Sequence, residues 1–185
     1  FSADLTVMEE ASELVDRIKN NKTLPILTSC CPAWVRFIEM NYHDMLDIPS
    51  SCKSPQIMMG SMVKTYYSNK TGIPAKDIVM VSVMPCTAKK AEAARSELGT
   101  KDIRDVDYVL STRELGRMIK LYGIDFNGLE ESDFDELMGE SSGAGTIFGT
   151  TGDVIEAAIR TASEWLTGEE LNKILAAKAD LDKNP

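Results

Sequence analysis

Apolar residues recur at helical spacing over several stretches of the chain. From Ala3 to Lys19 an apolar arc repeats every three or four residues, which predicts an amphipathic helix. Thr6 and Glu9 have the spacing of a capping box near its start. Five further helices are predicted, over Ala33 to about Tyr42, Ser54 to about Gly72, Ala88 to about Leu98, Arg113 to Tyr122 and Asp153 to about Leu166.

Short apolar runs between these helices predict strands. The runs are Pro25–Leu27, Asp77–Val83 and Val106–Leu110, and the second has the continuous apolar character of a buried parallel strand. Strands that alternate with helices indicate an α/β fold, a parallel sheet flanked by helices. We expect one domain over residues 1–185, with a polar tail at 167–185 that can be mobile.

Composition narrows the class of protein. The chain has 185 residues, a net charge of −9 and no apolar run near the roughly 20 residues that a membrane helix needs. The acidic charge argues against nucleic acid as a partner, and the hydropathy argues against a membrane. Four irregularly spaced cysteines without an export signal favour a reducing cytoplasm, where grouped cysteines more often serve metal or redox chemistry.

Two cysteine sites lie where a predicted strand passes into a helix. Cys30 and Cys31 precede Pro32, which can occupy the first position of a helix, and Cys86 follows the second predicted strand. Adjacent side chains diverge, so one of the pair can bind a metal while its neighbour stays a free thiol. Parallel strands would bring Cys31 and Cys86 to one edge of the sheet, where Lys89 could donate to an anionic ligand.

These thiols leave the chemistry open. An iron–sulfur cluster usually takes four thiolates, and this sequence offers two convincing ones, since Cys52 is better explained as a small buried apolar residue. Either the site is completed elsewhere or the metal hypothesis is wrong. A redox switch between Cys30 and Cys31 is disfavoured because a disulfide between adjacent residues is strained.

Charged residues on the first predicted helix allow two interpretations. Glu10, Glu13 and Arg17 fall within about 60° of one another on a helical wheel, along the edge of the apolar arc. The spacing alone is typical of a solvated charged stripe. The alternative is a pair of carboxylates held at a buried edge, with Arg17 fixing one of them.

Specific motifs resemble one known family. Residues 28–34 (Thr-Ser-Cys-Cys-Pro-Ala-Trp) and 84–90 (Met-Pro-Cys-Thr-Ala-Lys-Lys) are similar to the first two signature motifs of iron-iron (FeFe) hydrogenases. The likeness extends through residues 50–56, 112–115 and 139–167 and so covers nearly the whole chain. It implies that these residues form most of one lobe of the two-lobed hydrogenase catalytic domain.

The resemblance also implies an activity and a cofactor. The family reduces protons or oxidises hydrogen at the H-cluster, a 4Fe–4S cubane joined through a cysteine sulfur to a two-iron subsite. By this likeness Cys31 and Cys86 are cubane ligands, and Lys89 hydrogen-bonds a cyanide of the two-iron subsite. Other residues that match the lining of the two-iron pocket are Met84, Gln56 and Phe148.

A proton relay is implied as well, in the order Glu13, Ser50, Glu10 and Cys30, with Arg17 near its outer end. The resemblance therefore favours the buried-edge interpretation of the charged helix. The family's third signature, which supplies two more cysteines, is absent from this sequence. We expect the chain alone to bind no complete H-cluster and to be inactive.

The implied partners are the remainder of the catalytic domain and an electron-transfer partner, such as ferredoxin or accessory iron–sulfur domains. The implied setting is hydrogen metabolism in an anaerobic cytoplasm. The alternative function is a non-catalytic, hydrogenase-like sensor or iron–sulfur cluster scaffold. Retention of Cys30 and both glutamates argues against it, because a sensor has less need of a proton relay.

Overall fold

A computed structural model describes residues 1–100, 102–135 and 137–169 of the chain. Within these residues the fold is largely helical with a small parallel sheet. The helices are α1 (Ser2–Lys19), α2 (Pro32–Asn41), α3 (Pro55–Met62), α4 (Ser68–Thr71), α5 (Ala88–Ala93), α6 (Thr112–Leu121) and α7 (Asp153–Thr167). The strands are β1 (Val81–Met84) and β2 (Tyr108–Ser111).

The described chain divides into two compact units. The first unit comprises residues 1–53 together with 141–169, and the second comprises the described residues of 54–140. The prediction of one domain over residues 1–185 stays a prediction. Most of the predicted tail, residues 170–185, lies outside the described residues.

In the first unit, helix α1 packs against α7. Small side chains make this close approach possible, since Ala11, Ala158 and Ala162 are buried, together with Val7 and Val154. The segment Ala144–Gly149, a 3-10 helix, also packs on α1. A Cβ at Gly145 would lie 2.7 Å from the Cβ of Ala3, so glycine is needed there.

In the second unit, β1 and β2 pair in parallel, with Val81 opposite Tyr108 and Met84 opposite Ser111. A small core of Ile57, Ala93 and Val106 packs beneath them. Helix α3 continues through a π-helical turn, Val63–Tyr67, into α4, which ends at Gly72 in the left-handed conformation. This continuous helical segment matches the predicted helix over 54–72.

Helix bounds were predicted more closely than strand bounds. Helix α6 begins at the capping box of Ser111 and Glu114, whereas the capping box predicted for Thr6 and Glu9 is wrong. Thr6 lies buried inside α1 and donates to the carbonyl of Ser2 at 2.8 Å. Three elements are shorter than predicted. Helix α5 ends at Ala93, β1 begins at Val81 after a 3-10 turn, Ala75–Asp77, and β2 begins at Tyr108 instead of Val106.

The predicted strand Pro25–Leu27 is also wrong as a sheet strand. Leu27 makes only an isolated parallel bridge with Pro49, and the two-stranded sheet consists of β1 and β2 alone among the described residues. The segment is too short to extend a ladder. None of the helices in the described ranges is long and apolar enough to span a membrane.

Candidate functional site

Helix α1 carries the acidic residues of the candidate site. Glu10 and Arg17 are 2% and 7% exposed, so these charged groups lie on the buried side of the helix. Successive residues at spacings of three and four share one helix face. The structure therefore agrees with the buried-edge interpretation of this face and not with a solvated stripe.

Arg17 holds Glu13 and a neighbouring loop at once. Its Nε and Nη2 donate to Glu13 Oε1 at 3.0 and 2.6 Å. The same guanidinium also donates to the backbone carbonyl of Thr23, just after α1, and to three carbonyls of the loop, those of Asp47, Ile48 and Pro49. Because the planar guanidinium has five fixed donors, this pattern fastens residues 47–49 to α1 and delivers residues 50–52 to the carboxylate.

Glu13 accepts several hydrogen bonds from residues 50–52. Ser51 donates through its backbone N–H at 3.0 Å and its hydroxyl at 2.8 Å, both to Glu13 Oε2. The Ser50 hydroxyl and the Cys52 thiol lie 3.4 and 3.5 Å from the same oxygen. Burial raises the pKa of Glu13, but the hydrogen bonds from Ser51 and Arg17 outweigh it, so the net shift is downward.

Glu10 has the opposite electrostatic setting. Burial raises its pKa to about 7, although a hydrogen bond from Ser50 partly offsets the effect. Its Oε2 is buried and has no hydrogen-bond partner within the described residues. At neutral pH, a carboxyl group with such a pKa is protonated in some molecules and ionised in others.

Ser50 connects the two carboxyl groups. It is buried, hydrogen-bonds Glu10 and lies 3.4 Å from Glu13 Oε2, and its oxygen accepts from the Cys52 backbone N–H at 3.0 Å. A hydroxyl can accept one proton and donate another, so this group can pass protons between two acids. The arrangement is chemically suited to stepwise proton transfer.

A cavity of about 520 Å³ adjoins the outer end of this acid chain. Its lining includes Glu13, Arg17 and Ser51, together with Asp16 and Lys22 on the outer side. Glu10 is buried, whereas Glu13 lines the open cavity.

The thiols occupy positions suited to ligands. Cys31 is the N-cap residue of α2 and is exposed, Cys86 follows the end of β1 and is exposed, and Cys30 is half-buried. None of the four cysteines, all of which lie in the described ranges, forms a disulfide. Cys30 lies in the same unit as Glu10, Glu13 and Ser50.

The sequence predicts that Cys31 and Cys86 follow neighbouring strands of one parallel sheet. This prediction is wrong, because the residues before Cys31 are not a strand of the sheet that precedes Cys86. Nowhere in the described ranges do three or more His, Cys, Asp or Glu side chains form a metal-binding group. Two exposed thiols fit half of the four thiolates that a 4Fe–4S cubane takes.

A second buried polar group lies in the second unit. Glu92 Oε2 accepts hydrogen bonds from Lys89 Nζ at 3.0 Å, Gln56 Nε2 at 3.0 Å and Ser54 Oγ at 2.9 Å. All four side chains are buried. Gln56 also donates to the Lys89 carbonyl at 3.3 Å, which fixes its amide, and its Oε1 is left buried without a partner within the described residues.

An unpartnered buried acceptor of this kind is uncommon, since about 90% or more of the buried polar groups in proteins have a hydrogen-bond partner. Gln56 and Lys89 were both predicted to face the two-iron subsite, and the structure brings them together. Met84 is the last residue of β1 and is half-buried. Phe148 lies in the 3-10 segment Ala144–Gly149 of the first unit and is also half-buried.

Three contributors were missed from the sequence. The contact of Glu92 with Lys89 could have been predicted from the sequence, because residues three apart on one helix can form an ion pair. Ser51 and Cys52 carry no such signal in the sequence, since their contacts with Glu13 span 38 and 39 residues of chain. The description of Cys52 as a plain apolar residue is incomplete, because its thiol reaches a carboxylate.

The comparisons with known proteins agree with one family. Residues 1–183 match the family model described as "Iron only hydrogenase large subunit, C-terminal domain". The chain is 55% identical over 180 residues to the NADP-reducing hydrogenase subunit HndD of Solidesulfovibrio fructosivorans, a match that covers 94% of this chain and 31% of that protein. It is 48% identical to the periplasmic [Fe] hydrogenase large subunit of Nitratidesulfovibrio vulgaris, with 92% of this chain and 41% of that protein covered.

A more distant relative, the cytosolic Fe-S cluster assembly factor narfl of Xenopus tropicalis, is 32% identical with 95% of this chain and 39% of that protein covered. Among solved structures, that of HydA(deltaEFG), which concerns stepwise [FeFe]-hydrogenase H-cluster assembly, matches with a TM-score of 0.82 and 50% identity. It covers 92% of this chain and 43% of that one. The chain thus spans less than half the length of these relatives, and it belongs to the family of the iron only hydrogenase large subunit, C-terminal domain.

Proposed function

We propose that this chain is part of an FeFe-hydrogenase catalytic domain and that its acid cluster carries protons for the reversible reduction of protons to hydrogen. The observation that carries the proposal is the Ser50 hydroxyl placed between Glu13 and Glu10, with the pKa of Glu10 near 7. The proposed order of transfer is Glu13, Ser50, Glu10 and Cys30. Such a relay needs groups that gain and lose protons near neutral pH, which Glu10 satisfies.

In the complete protein, Cys31 and Cys86 would hold the 4Fe–4S cubane. The side chains that would face the two-iron subsite are Lys89, Met84, Gln56 and Phe148. The H-cluster, when bound, would supply the redox chemistry by which electrons from a donor combine with protons. The remainder of the catalytic domain and an electron-transfer partner such as ferredoxin or accessory iron–sulfur domains complete this assembly.

Substitution of the relay acids tests the proposal. In the full-length protein, Glu10→Gln keeps the size of the side chain but removes its proton, and Cys30→Ser removes the thiol. Each should lower hydrogen turnover by about 100-fold or more, the usual contribution of a positioned acid or base. Infrared bands of the H-cluster should be unchanged, which separates lost proton transfer from lost cofactor.

Glu156→Gln is the matched control, because Glu156 is a half-exposed glutamate of the same unit that pairs with Arg160 on α7. Its turnover should equal that of the wild type. Undiminished turnover in Glu10→Gln with an intact cluster would contradict the relay.

The chain by itself should be inactive. Its two candidate cubane thiols are half of the four that the cluster takes, so residues 1–185 alone should not retain a complete H-cluster. Iron and sulfide analysis after anaerobic reconstitution, with a hydrogen assay, measures this. Four irons per chain with turnover would show that the proposal is wrong.

A cluster-assembly or sensor function is the second candidate, favoured by the likeness to the assembly factor narfl. Higher identity to the two hydrogenase subunits favours the enzyme. The same Cys30→Ser variant distinguishes the two functions, because an assembly factor does not need a proton-carrying thiol.

We also propose a cytoplasmic location, since four cysteines that form no disulfide among the described residues suit a reducing compartment. The family is not confined to it, because one relative is named as periplasmic. Fractionation of the source cells, with the protein traced by antibody, would place it among cytoplasmic or periplasmic proteins.

A further inference from the structure

We infer that Ser51 and Cys52 are positioning residues of the proton relay, which hold the Glu13 carboxylate and the Ser50 hydroxyl in line for transfer toward Glu10. Neither residue was predicted as part of the relay. The inference rests on the proposed function, because the relay must carry protons for its positioning to matter.

Ser51 fixes which oxygen of Glu13 faces Ser50. Arg17 binds Oε1 through Nε and Nη2, whereas the Ser51 hydroxyl binds Oε2 at 2.8 Å. The Ser51 N–H donates to Oε2 at 3.0 Å and to Oε1 at 3.3 Å. With Arg17 on Oε1 and the Ser51 hydroxyl on Oε2, the carboxylate cannot rotate freely. Oε2 is therefore kept at the side where Ser50 lies.

Cys52 fixes the direction of the Ser50 hydroxyl. Its backbone N–H donates to Ser50 Oγ at 3.0 Å and so occupies one lone pair of that oxygen. The Ser50 proton is then directed at the carboxyl groups, and Glu13 Oε2 lies 3.4 Å away. A hydrogen bond of this length can tighten by a small movement when a proton passes.

The Cys52 thiol adds a further donor to the same oxygen. Its Sγ lies 3.5 Å from Glu13 Oε2. Burial raises the pKa of Cys52 to about 12, so the group stays a thiol at neutral pH and can donate. Glu13 Oε2 thus accepts from Ser50, Ser51 and Cys52. Because these donors share one oxygen, the loss of one can change the alignment of Ser50.

Ser142 provides a matched comparison within the first unit. Its N–H donates to Oδ2 and its hydroxyl to Oδ1 of Asp4 on α1, each at 2.7 Å, so the same two kinds of donor meet a carboxylate on the same helix as Glu13. Asp4 takes no part in the relay, and both serines are exposed. Ser142→Ala therefore removes the same chemical contact at a site with no proton to carry.

The test uses the full-length protein with its cluster assembled, and measures hydrogen turnover as a function of pH beside the infrared bands of the cluster. Ser51→Ala should lower turnover near neutral pH by about 10-fold, since small misplacements of reacting groups are costly. In Ser51→Ala, the fall in turnover at low pH should also move to higher pH. The reason is that Glu13 loses a hydrogen bond that lowers its pKa.

Cys52→Ala should lower turnover in the same direction, and Cys52→Ser should restore it, because a hydroxyl can replace the donated proton. Ser142→Ala should leave the rate and its pH profile unchanged. Cluster bands equal to those of the wild type would show that the variants are folded and loaded.

Several outcomes would overturn the inference. Wild-type rates and profiles in both Ser51→Ala and Cys52→Ala, alongside a collapse of turnover in Glu10→Gln, would leave the relay intact and remove the positioning role. An equal loss in Ser142→Ala would show that the effect is not specific to Glu13, and an inactive Cys52→Ser would refute the donor role of the thiol. Undiminished turnover in Glu10→Gln would instead refute the proposed function itself.

Discussion

At the scale of single residues, two carboxyl groups on one helix have pKa values shifted in opposite directions. Burial raises the pKa of Glu10 to about 7, while hydrogen bonds from Ser51 and Arg17 overcome the effect of burial and lower that of Glu13. Pairs of acids whose surroundings separate their pKa values can take different roles in proton chemistry. Glu10 is suited to hold a proton, and Glu13 is suited to hold a negative charge.

These shifts have opposite effects on stability as pH changes. Glu10 has a folded pKa above its ordinary value of 4.5, so the folded state binds the proton more tightly. Its favourable contribution is present below pH 4.5 and is lost as pH rises through about 7. Glu13 has a lowered pKa, so its contribution is present above its ordinary value and is lost as pH falls through the folded pKa.

At the scale of elements, α3 depends on a glycine where it meets another segment of the second unit. A Cβ at Gly60 would overlap the carbonyl of Asp105 and approach Val106 Cγ2 to 2.9 Å. Gly116 in α6 is a helical glycine with nothing within 4 Å of such a Cβ. An alanine at Gly116 therefore changes helix propensity alone, whereas an alanine at Gly60 also disturbs close packing.

Gly60→Ala should reduce the free energy of unfolding by about 1–3 kcal/mol, because the backbone must move to accept the methyl group. Gly116→Ala should increase it by roughly 0.5–1 kcal/mol, since alanine is the better helix former. Urea unfolding followed by circular dichroism measures both. A Gly60→Ala protein as stable as the wild type would refute the close approach.

Elements with strong local signals could be predicted from the sequence. Helix α6 was predicted from the Ser111 and Glu114 spacing, and α7 was predicted to within a residue of its observed end at Thr167. Strands were predicted less well, because an apolar run does not show whether a partner strand lies beside it. Pro25–Leu27 has strand composition but finds only one bridge partner, at Pro49.

At the scale of the whole molecule, local spacing showed that Glu10, Glu13 and Arg17 share a face, but not whether that face is buried. Burial follows from the packing of α1 on α7 and from the loop that Arg17 holds, contacts that span up to 32 residues of chain from Arg17. Ser51 and Cys52 enter the site through the same loop. Contacts of this kind have no periodic signal in the sequence.

The candidate chemistry is divided between the two units of the chain. The first unit carries Cys30, Cys31 and the acid cluster, and the second carries Cys86 and the buried group around Glu92. Each set is built by contacts inside its own unit. The contacts that join Glu10, Glu13 and Ser50 therefore all lie within the first unit.

The proposed relay depends most on the protonation of Glu10, which a titration measures. The carboxyl stretching band, assigned by its loss in Glu10→Gln, can be followed by infrared spectroscopy in the full-length protein from about pH 4 to about pH 9. We expect a midpoint at about 7, because burial favours the protonated acid. A midpoint near the ordinary value of 4.5 would show a solvated carboxylate and would contradict the role of Glu10 as a proton carrier at neutral pH.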